Sequence, residues 1–315
     1  MSPRSKILVV ASKTVRDFSS LKLLLAFLVP YTGLTYLFAR GLTSTDSEPV
    51  ATLPLRAQEQ LLTSAFGQLS FTWAAGFPAM VLVAVLAANG IARDEQTGTV
   101  RILLSKPVSR RQVLLGKYIG VITFGYLATV ACLLVGAVAL YATAGASPSA
   151  LGGSIFTLLP GTLAFALGVV LFVAAVGTAA SVFTASRLKT ALIASLVPVL
   201  FFAFFLVRLL TGDKGTYEEF KLYYLDVNYH LGNFFVTLHG VLGTEFSPIT
   251  QSELGLITGV YDHSGWGPDP LVGGFTGTVP VVGHVPAMLS ILLGVVLTVG
   301  LLVAAVVHFE RKDIS

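Results

Sequence analysis

Cysteine occurs once in the 315 residues of this chain, as Cys132. A lone thiol makes no disulfide within the chain and builds no cysteine metal centre, so neither device holds the fold together. Charge is also scarce, since Asp, Glu, Lys and Arg make up 11% of the residues against 54% hydrophobic ones. An ordinary soluble domain carries roughly twice that share of charge. From Tyr118 to Ser186 there is no charged residue at all. Nucleotide-binding signatures are missing too. Gly116-Lys117 is followed by Tyr118 and lacks the earlier glycine of a phosphate-cradling loop, and Gly212-Asp213-Lys214-Gly215 has the wrong order. No H-E-x-x-H occurs; Val307-His308-Phe309-Glu310 is not one. The chain is therefore not expected to be an enzyme or to hold a cofactor of its own.

What is present is apolar sequence in long runs. Six segments are long enough to be membrane spans, over residues 23–39, 71–91, 118–141, 155–183, 190–207 and 285–307. None contains Asp, Glu, Lys or Arg. A Lys or Arg at mid-bilayer costs about 2.5 to 3.5 kcal/mol on insertion scales, and each Leu, Ile, Phe or Val returns about 0.3 to 0.6. A soluble helical protein would show polar faces at a period near 3.6, whereas these segments are apolar all round. The cluster from Ala144 to Gly153, rich in Gly, Ser and Pro, is read as the turn between the third and fourth spans. Cys132 falls in the third span as a small packing residue. Pro30, Pro78, Pro160 and Pro198 fall in four of the spans, where each is expected to bend the helix. Ion-coupled carriers keep ionisable residues inside their spans; here the nearest are Arg208 and His308 at span ends, which argues against that class.

Orientation follows from the loops. With the amino terminus inside, fifteen of the twenty Lys and Arg residues lie on the inner side and five (Arg40, Arg56, Arg208, Lys214 and Lys221) on the outer. That bias puts both termini in the cytoplasm of a multi-pass plasma-membrane protein. The formal net charge of +4 thus reports topology and contact with anionic membrane lipid, not a nucleic-acid partner.

Residues 1–22 precede the first span. Ile7, Val10, Ala11, Val15 and Phe18 recur at helical spacing, with Lys6, Lys13, Arg16 and Asp17 elsewhere. This predicts an amphipathic helix in the inner headgroup layer.

The densest polar stretch is residues 92–117, a basic island between the second and third spans. Ser109-Arg110-Arg111-Gln112 fits a capping box, with Val108 and Val113 at the positions of a hydrophobic staple, so a helix is expected to start at Ser109 and run into the third span. Pro107 disfavours helix at Lys106, and Gly98 is the expected stop after the second span. Thr99 to Lys106 remains as a short amphipathic segment, with Val100, Leu103 and Leu104 apolar and Arg101 and Lys106 charged. A helix, break and helix of this kind can be pushed as one unit.

At these residues the chain resembles the permease subunits of the ABC-2 family of ATP-driven transporters. The resemblance rests on Asp94-Glu95, Gly98-Thr99, Leu103-Leu104, Ser105-Lys106-Pro107-Val108-Ser109-Arg110 and Gly116-Lys117. Lys13 to Phe18 and Phe309 to Ile314 are similar to the family's amino-terminal helix and carboxyl-terminal ending. The resemblance implies an all-α integral membrane protein of six transmembrane helices with an interfacial amino-terminal helix, a cytoplasmic coupling helix and a large outer loop between helices 5 and 6. It implies a single transmembrane domain over residues 1–315, coupled to a separate ABC ATPase that carries ATP and Mg, and a second permease copy as homodimer or paralogous heterodimer. By that likeness Asp94, Glu95, Gly98, Thr99, Arg101, Leu103, Leu104, Lys106, Pro107, Ser109, Arg110, Arg111 and Lys117 form the ATPase-coupling site. Force taken there would tilt the second and third spans. The implied function is a permease, an exporter by its apolar linings, with a non-transporting anchor or mechanotransmission subunit as the alternative.

The outer segment, residues 208–284, departs most from a minimal permease. Tyr223, Tyr224, Tyr229, Phe234 and Phe235 favour the membrane interface, so short re-entrant helices are expected from Tyr217 to Leu242. The second half, with Gly255, Gly259, Gly265, Gly267, Gly273, Gly274, Gly277 and Gly283, is expected to form turns and short strands. His230, His239, His263 and His284 match no compact metal-ligand spacing and are read as solvated loop residues, with no metal site expected.

Overall fold

Apolar runs without charge become helices because a membrane supplies no partner for backbone polar groups, and a helix satisfies them internally. The computed structural model describes residues 3–44, 49–100, 105, 108–211, 214–262 and 279–312. Among them the fold is all-helical; no strand forms, and Tyr261 and Val281 make an isolated antiparallel bridge. Helices α1 (Pro3–Phe18) and α2 (Leu21–Thr43) lead to α3 (Leu55–Gln68), a π-helical turn (Leu69–Ala74), α4 (Phe77–Ala88) and α5 (Ile91–Gln96). The long α6 (Arg110–Ala144), α7 (Ile155–Thr184) and α8 (Arg187–Thr211) follow. The outer region then forms α9 (Lys214–Glu219), α10 (Val227–Val241) and α11 (Pro248–Thr258), and α12 (Ala287–Arg311) closes the chain. Among the described residues five stretches are long and apolar enough to cross a membrane: Leu55–Gln96, Arg110–Ala144, Pro148–Thr184, Arg187–Leu210 and Ala287–Arg311.

The segment around the second expected span is a broken helix. The Ala75 N–H reaches back to the Ser70 carbonyl at 3.0 Å, one residue further than an α-helical bond, and the chain restarts at Phe77. Pro78 therefore stands in the first turn of α4 and does not bend a helix interior, correcting the reading above; its missing N–H costs nothing there. Pro30, Pro160 and Pro198 do lie inside α2, α7 and α8.

The main core gathers α4, α6, α7, α8 and α10 around Phe71, which is fully buried. Its ring centroid lies 5.5 Å from Phe165, 5.4 Å from Phe201 and 5.5 Å from Phe235. Since Phe235 belongs to α10, the outer region contributes a helix to the core of the bundle. Asp226 starts that helix by accepting the Tyr229 N–H at 3.0 Å. Where turns and strands were expected, α11 forms instead. Ser247 caps it, Pro248 occupies its first turn and the left-handed Gly259 ends it, a start-and-stop pattern that outweighs a single interior glycine. Gly265, Gly267, Gly273, Gly274 and Gly277 lie outside the described residues, as does His263.

The histidines are not simply solvated. His239 is fully buried, with Nδ1 2.8 Å from the Phe235 carbonyl and Nε2 3.3 Å from that of Leu158. A neutral imidazole donates from one nitrogen only, so the shorter contact assigns the proton to Nδ1 and leaves Nε2 to accept the Thr162 hydroxyl at 3.4 Å; such a ring serves packing.

Candidate functional site

The polar island on the expected inner side is built on the end of the broken helix. After Ala88 the chain turns at Asn89 and Gly90 and forms α5, which buries Ile91 and Ala92 and leaves Arg93 exposed. The Ala92 N–H donates to Ser181 Oγ at 2.7 Å, fixing the free first turn of α5 to the end of α7. Gly98 follows with φ of 71°, the left-handed position that a helix stop favours. On the far side of the island Ser109 starts α6 with the expected capping box. Its Oγ accepts the Gln112 N–H at 3.3 Å, and its own N–H donates to Gln112 Oε1 at 3.0 Å.

Between these two ends lies a small core of its own. Ile91, Val100, Leu114, Ala179, Val182, Ala305 and Phe309 are buried together, separate from the main core. They come from α5, the segment after it, α6, α7 and α12. Three polar clamps surround this core. Lys117, 9% exposed, pairs with Asp94 and donates to the Gly90 carbonyl at 3.1 Å. Lys312 pairs with Glu95 at 2.8 Å and donates to the Val182 carbonyl at 3.1 Å. Arg110 donates to the carbonyls of Phe309 at 3.2 Å and Glu310 at 3.3 Å, and also to that of Lys312. These are the carbonyls a helix C-terminus leaves unpaired, and a cation is favoured there.

The residues singled out from sequence therefore divide. Asp94, Glu95, Arg110 and Lys117 are brought together as internal clamps. Ser109 is a cap, and Gly98 and Thr99 shape the turn, with Thr99 Oγ1 2.8 Å from Thr97 Oγ1. Arg111 is exposed. Arg101, Leu103, Leu104, Lys106 and Pro107 lie outside the described residues. Sequence reasoning passed over Ser181, Phe309 and Lys312 as site residues. Only the likeness of the carboxyl-terminal ending hinted at the last two; nothing local in sequence joins them to residues 92–117.

Outside the clamps the exposed charges are mostly basic: Arg93, Arg111, Arg187, Lys189 and Arg311, against Glu310. With Asp94 and Glu95 neutralised inside, this rim is positive. Helix α1 packs directly on the first turns of α6. A Cβ on Gly116 would stand 2.6 Å from Val10 Cβ, and one on Gly120 would stand 2.6 Å from Thr14 Cβ. The two glycines, one turn apart, form the groove in which α1 sits, with Ala11, Thr14 and Phe18 buried.

Two outer features complete the picture. Arg208, at the end of α8, pairs with the buried Asp226, which also accepts the Tyr217 hydroxyl at 2.7 Å, and donates to Asn228 Oδ1 at 2.9 Å. Between α7, α10 and α12 runs an apolar groove of about 560 Å³, walled by Phe172, Phe234, Leu293 and Leu297, with His230 and Ser290 at its edge.

In comparison with known families, residues 8–314 match the family described as ABC-2 family transporter protein. No individually curated protein matches the chain.

Proposed function

This chain belongs to the ABC-2 family of transporter proteins, a multi-pass membrane permease component of an ABC transporter, and from that premise we propose that residues 92–117 take force from a separate ABC ATPase. The observation that carries the proposal is the inner module itself. A loop that must be pushed as a unit needs firm ends, and the described ends of this one share a core and three clamps. Its positive rim suits acidic groups on the ATPase. ATP and Mg would be bound and hydrolysed on that partner, and this chain would hold no cofactor.

In this reading α2 is the sixth crossing. Its 23 residues, Leu21–Thr43, span about 34 Å at 1.5 Å per residue, enough for the hydrocarbon layer. Both termini then lie in the cytoplasm of a plasma-membrane protein, a reading that the basic bias of the segments assigned to the inner side supports. A second permease copy would complete the translocation path. The apolar groove and the sparse charge of the spans favour export of an amphipathic or lipid-like solute.

The outer helices, pinned by Arg208 and Asp226, support a second reading: a non-transporting anchor that moves an outer partner. Reconstitution with the cognate ATPase separates the two. Solute or lipid movement that follows ATP turnover supports the permease, and brisk turnover that moves nothing supports the anchor. For the coupling itself, Arg111→Glu should release the ATPase in co-purification while membrane insertion is kept. Undiminished co-purification would overturn the docking assignment.

A further inference from the structure

The inner module holds the last turn of α12. Phe309 is fully buried within it, Arg110 closes the helix carbonyls, and Lys312 ties Glu95 to α7 through the Val182 carbonyl. The opposite end of α12 is gripped as well. Ser290 Oγ lies 2.9 Å from His230 Nδ1 and accepts from Asn233 Nδ2 at 3.2 Å, both on α10. His230 Nε2 sits 3.1 Å from the Tyr224 carbonyl, which assigns the ring proton to Nε2 and leaves Nδ1 to accept the Ser290 hydroxyl. Just ahead of α12, the Tyr229 hydroxyl donates to the Val282 carbonyl at 2.9 Å and accepts the Val285 N–H at 3.2 Å.

Between its two held ends α12 lies along α7 and α10 and turns the rest of its apolar surface outward. Within its apolar window 11% of residues are buried, against 28% to 67% in the other four membrane-crossing stretches. A helix held at both ends carries a displacement of one end to the other, because packed elements shift as units. We propose that α12 is a transmission rod: displacement of residues 92–117 passes through Lys312 and Phe309 into α12, and from Ser290 into α10, so that the groove between α7, α10 and α12 changes width with the nucleotide state of the ATPase. The inference rests on the reading of residues 92–117 as the ATPase-driven element. It adds a third helix, remote in sequence, to the two spans that flank the loop. Lys312 is a positioning residue in this scheme.

The test uses the complete permease and ATPase complex in lipid nanodiscs, on a Cys132→Ala background. An environment-sensitive fluorophore is placed on Met288→Cys, exposed at the outer end of α12, and in a second preparation on Gln96→Cys, exposed at the end of α5. Trapping with ATP and vanadate should shift the emission of both reporters. Lys312→Met should keep the Gln96 shift and lose that at Met288. A purely local structural role for Lys312 would not reach Met288, about 36 Å away along a helix rising 1.5 Å per residue. Should Lys312→Met fail to fold, Glu95→Gln, which leaves the Val182 contact in place, should diminish the same outer shift. An outer shift that survives undiminished in both variants overturns the rod. So does silence at Met288 in the parent while Gln96 responds, a result that leaves the coupling reading standing. Silence at both positions with the ATPase bound overturns the coupling reading and the rod with it.

Discussion

Arg110 reaches from the first turn of α6 to the carbonyl of Phe309 at the end of α12, 3.2 Å away. It thereby joins two helices separated by most of the second half of the chain. Its neighbour Arg111 points into solvent. Adjacent arginines of one basic island thus do different work.

Their substitution should separate accordingly. Arg110→Ala strips charged hydrogen bonds from the α12 carbonyls and should cost about 1.5 to 3 kcal/mol of stability. Arg111→Ala should stay within about 0.5 kcal/mol of the parent while weakening ATPase co-purification. Thermal unfolding in detergent and a pull-down on the same preparations measure both. Equal destabilisation by the two would contradict the assignment.

Gly116→Ala is expected to displace α1. The new methyl group would stand 2.6 Å from Val10 Cβ and 2.9 Å from the Ile7 carbonyl oxygen, and overpacking of this kind costs about 1 to 3 kcal/mol. Amide exchange across residues 3–18 should accelerate. Gly33→Ala is the control, since nothing lies within 4 Å of its added Cβ, and it should gain up to about 1 kcal/mol from helix propensity.

The outer pin predicts a non-additive pair. Arg208→Met leaves Asp226, fully buried, without its cation, and should cost about 3 to 5 kcal/mol. The double variant Arg208→Met/Asp226→Leu removes the stranded charge and should recover most of that loss. It should remain about 1 kcal/mol below the parent, because Asp226 also caps α10. A double variant as unstable as the single one would show that the pin acts otherwise.

Glu253 on α11 accepts from Gln68 Nε2 at 2.7 Å and from the Ser64 hydroxyl, both on α3. Burial raises its pKa above the ordinary carboxylate value, and donation from Gln68 only partly opposes the shift. An acid raised in the folded state is preferred protonated there. Its stabilisation is therefore complete below the unfolded pKa and fades as pH rises through the folded one. Melting curves should show this group weakening the outer helices towards neutral pH, and Glu253→Gln should remove that part of the slope and melt higher than the parent at pH 8. A steeper decline in the variant would refute the sign.

Much of the inner site was legible because its signals are local. The capping box at Ser109 and the stop at Gly98 depend on residues within one turn of each other, and both stand where the pattern put them. The apolar face of α1 was equally readable from its 3.6-residue period. Ser181, Phe309 and Lys312 were not, since each meets the island only after the chain has crossed the bundle. The same limit explains the outer region. Aromatic residues pointed to helices at the interface, but the insertion of Phe235 against Phe71 and Phe165 needs three helices in place.

Sequence by itself determined the class of this protein: charge-free apolar runs form helices long enough to cross a membrane, and residues 8–314 carry the pattern of the ABC-2 family. Those properties depend on transfer energies and on contacts within a turn, which composition and spacing record directly. Tertiary structure alone decided which charges of the island stay exposed and which lock the chain to its own last helix. That choice turns on distances between residues far apart along the chain, and only packing brings Arg110 to Phe309 or Glu95 to Lys312.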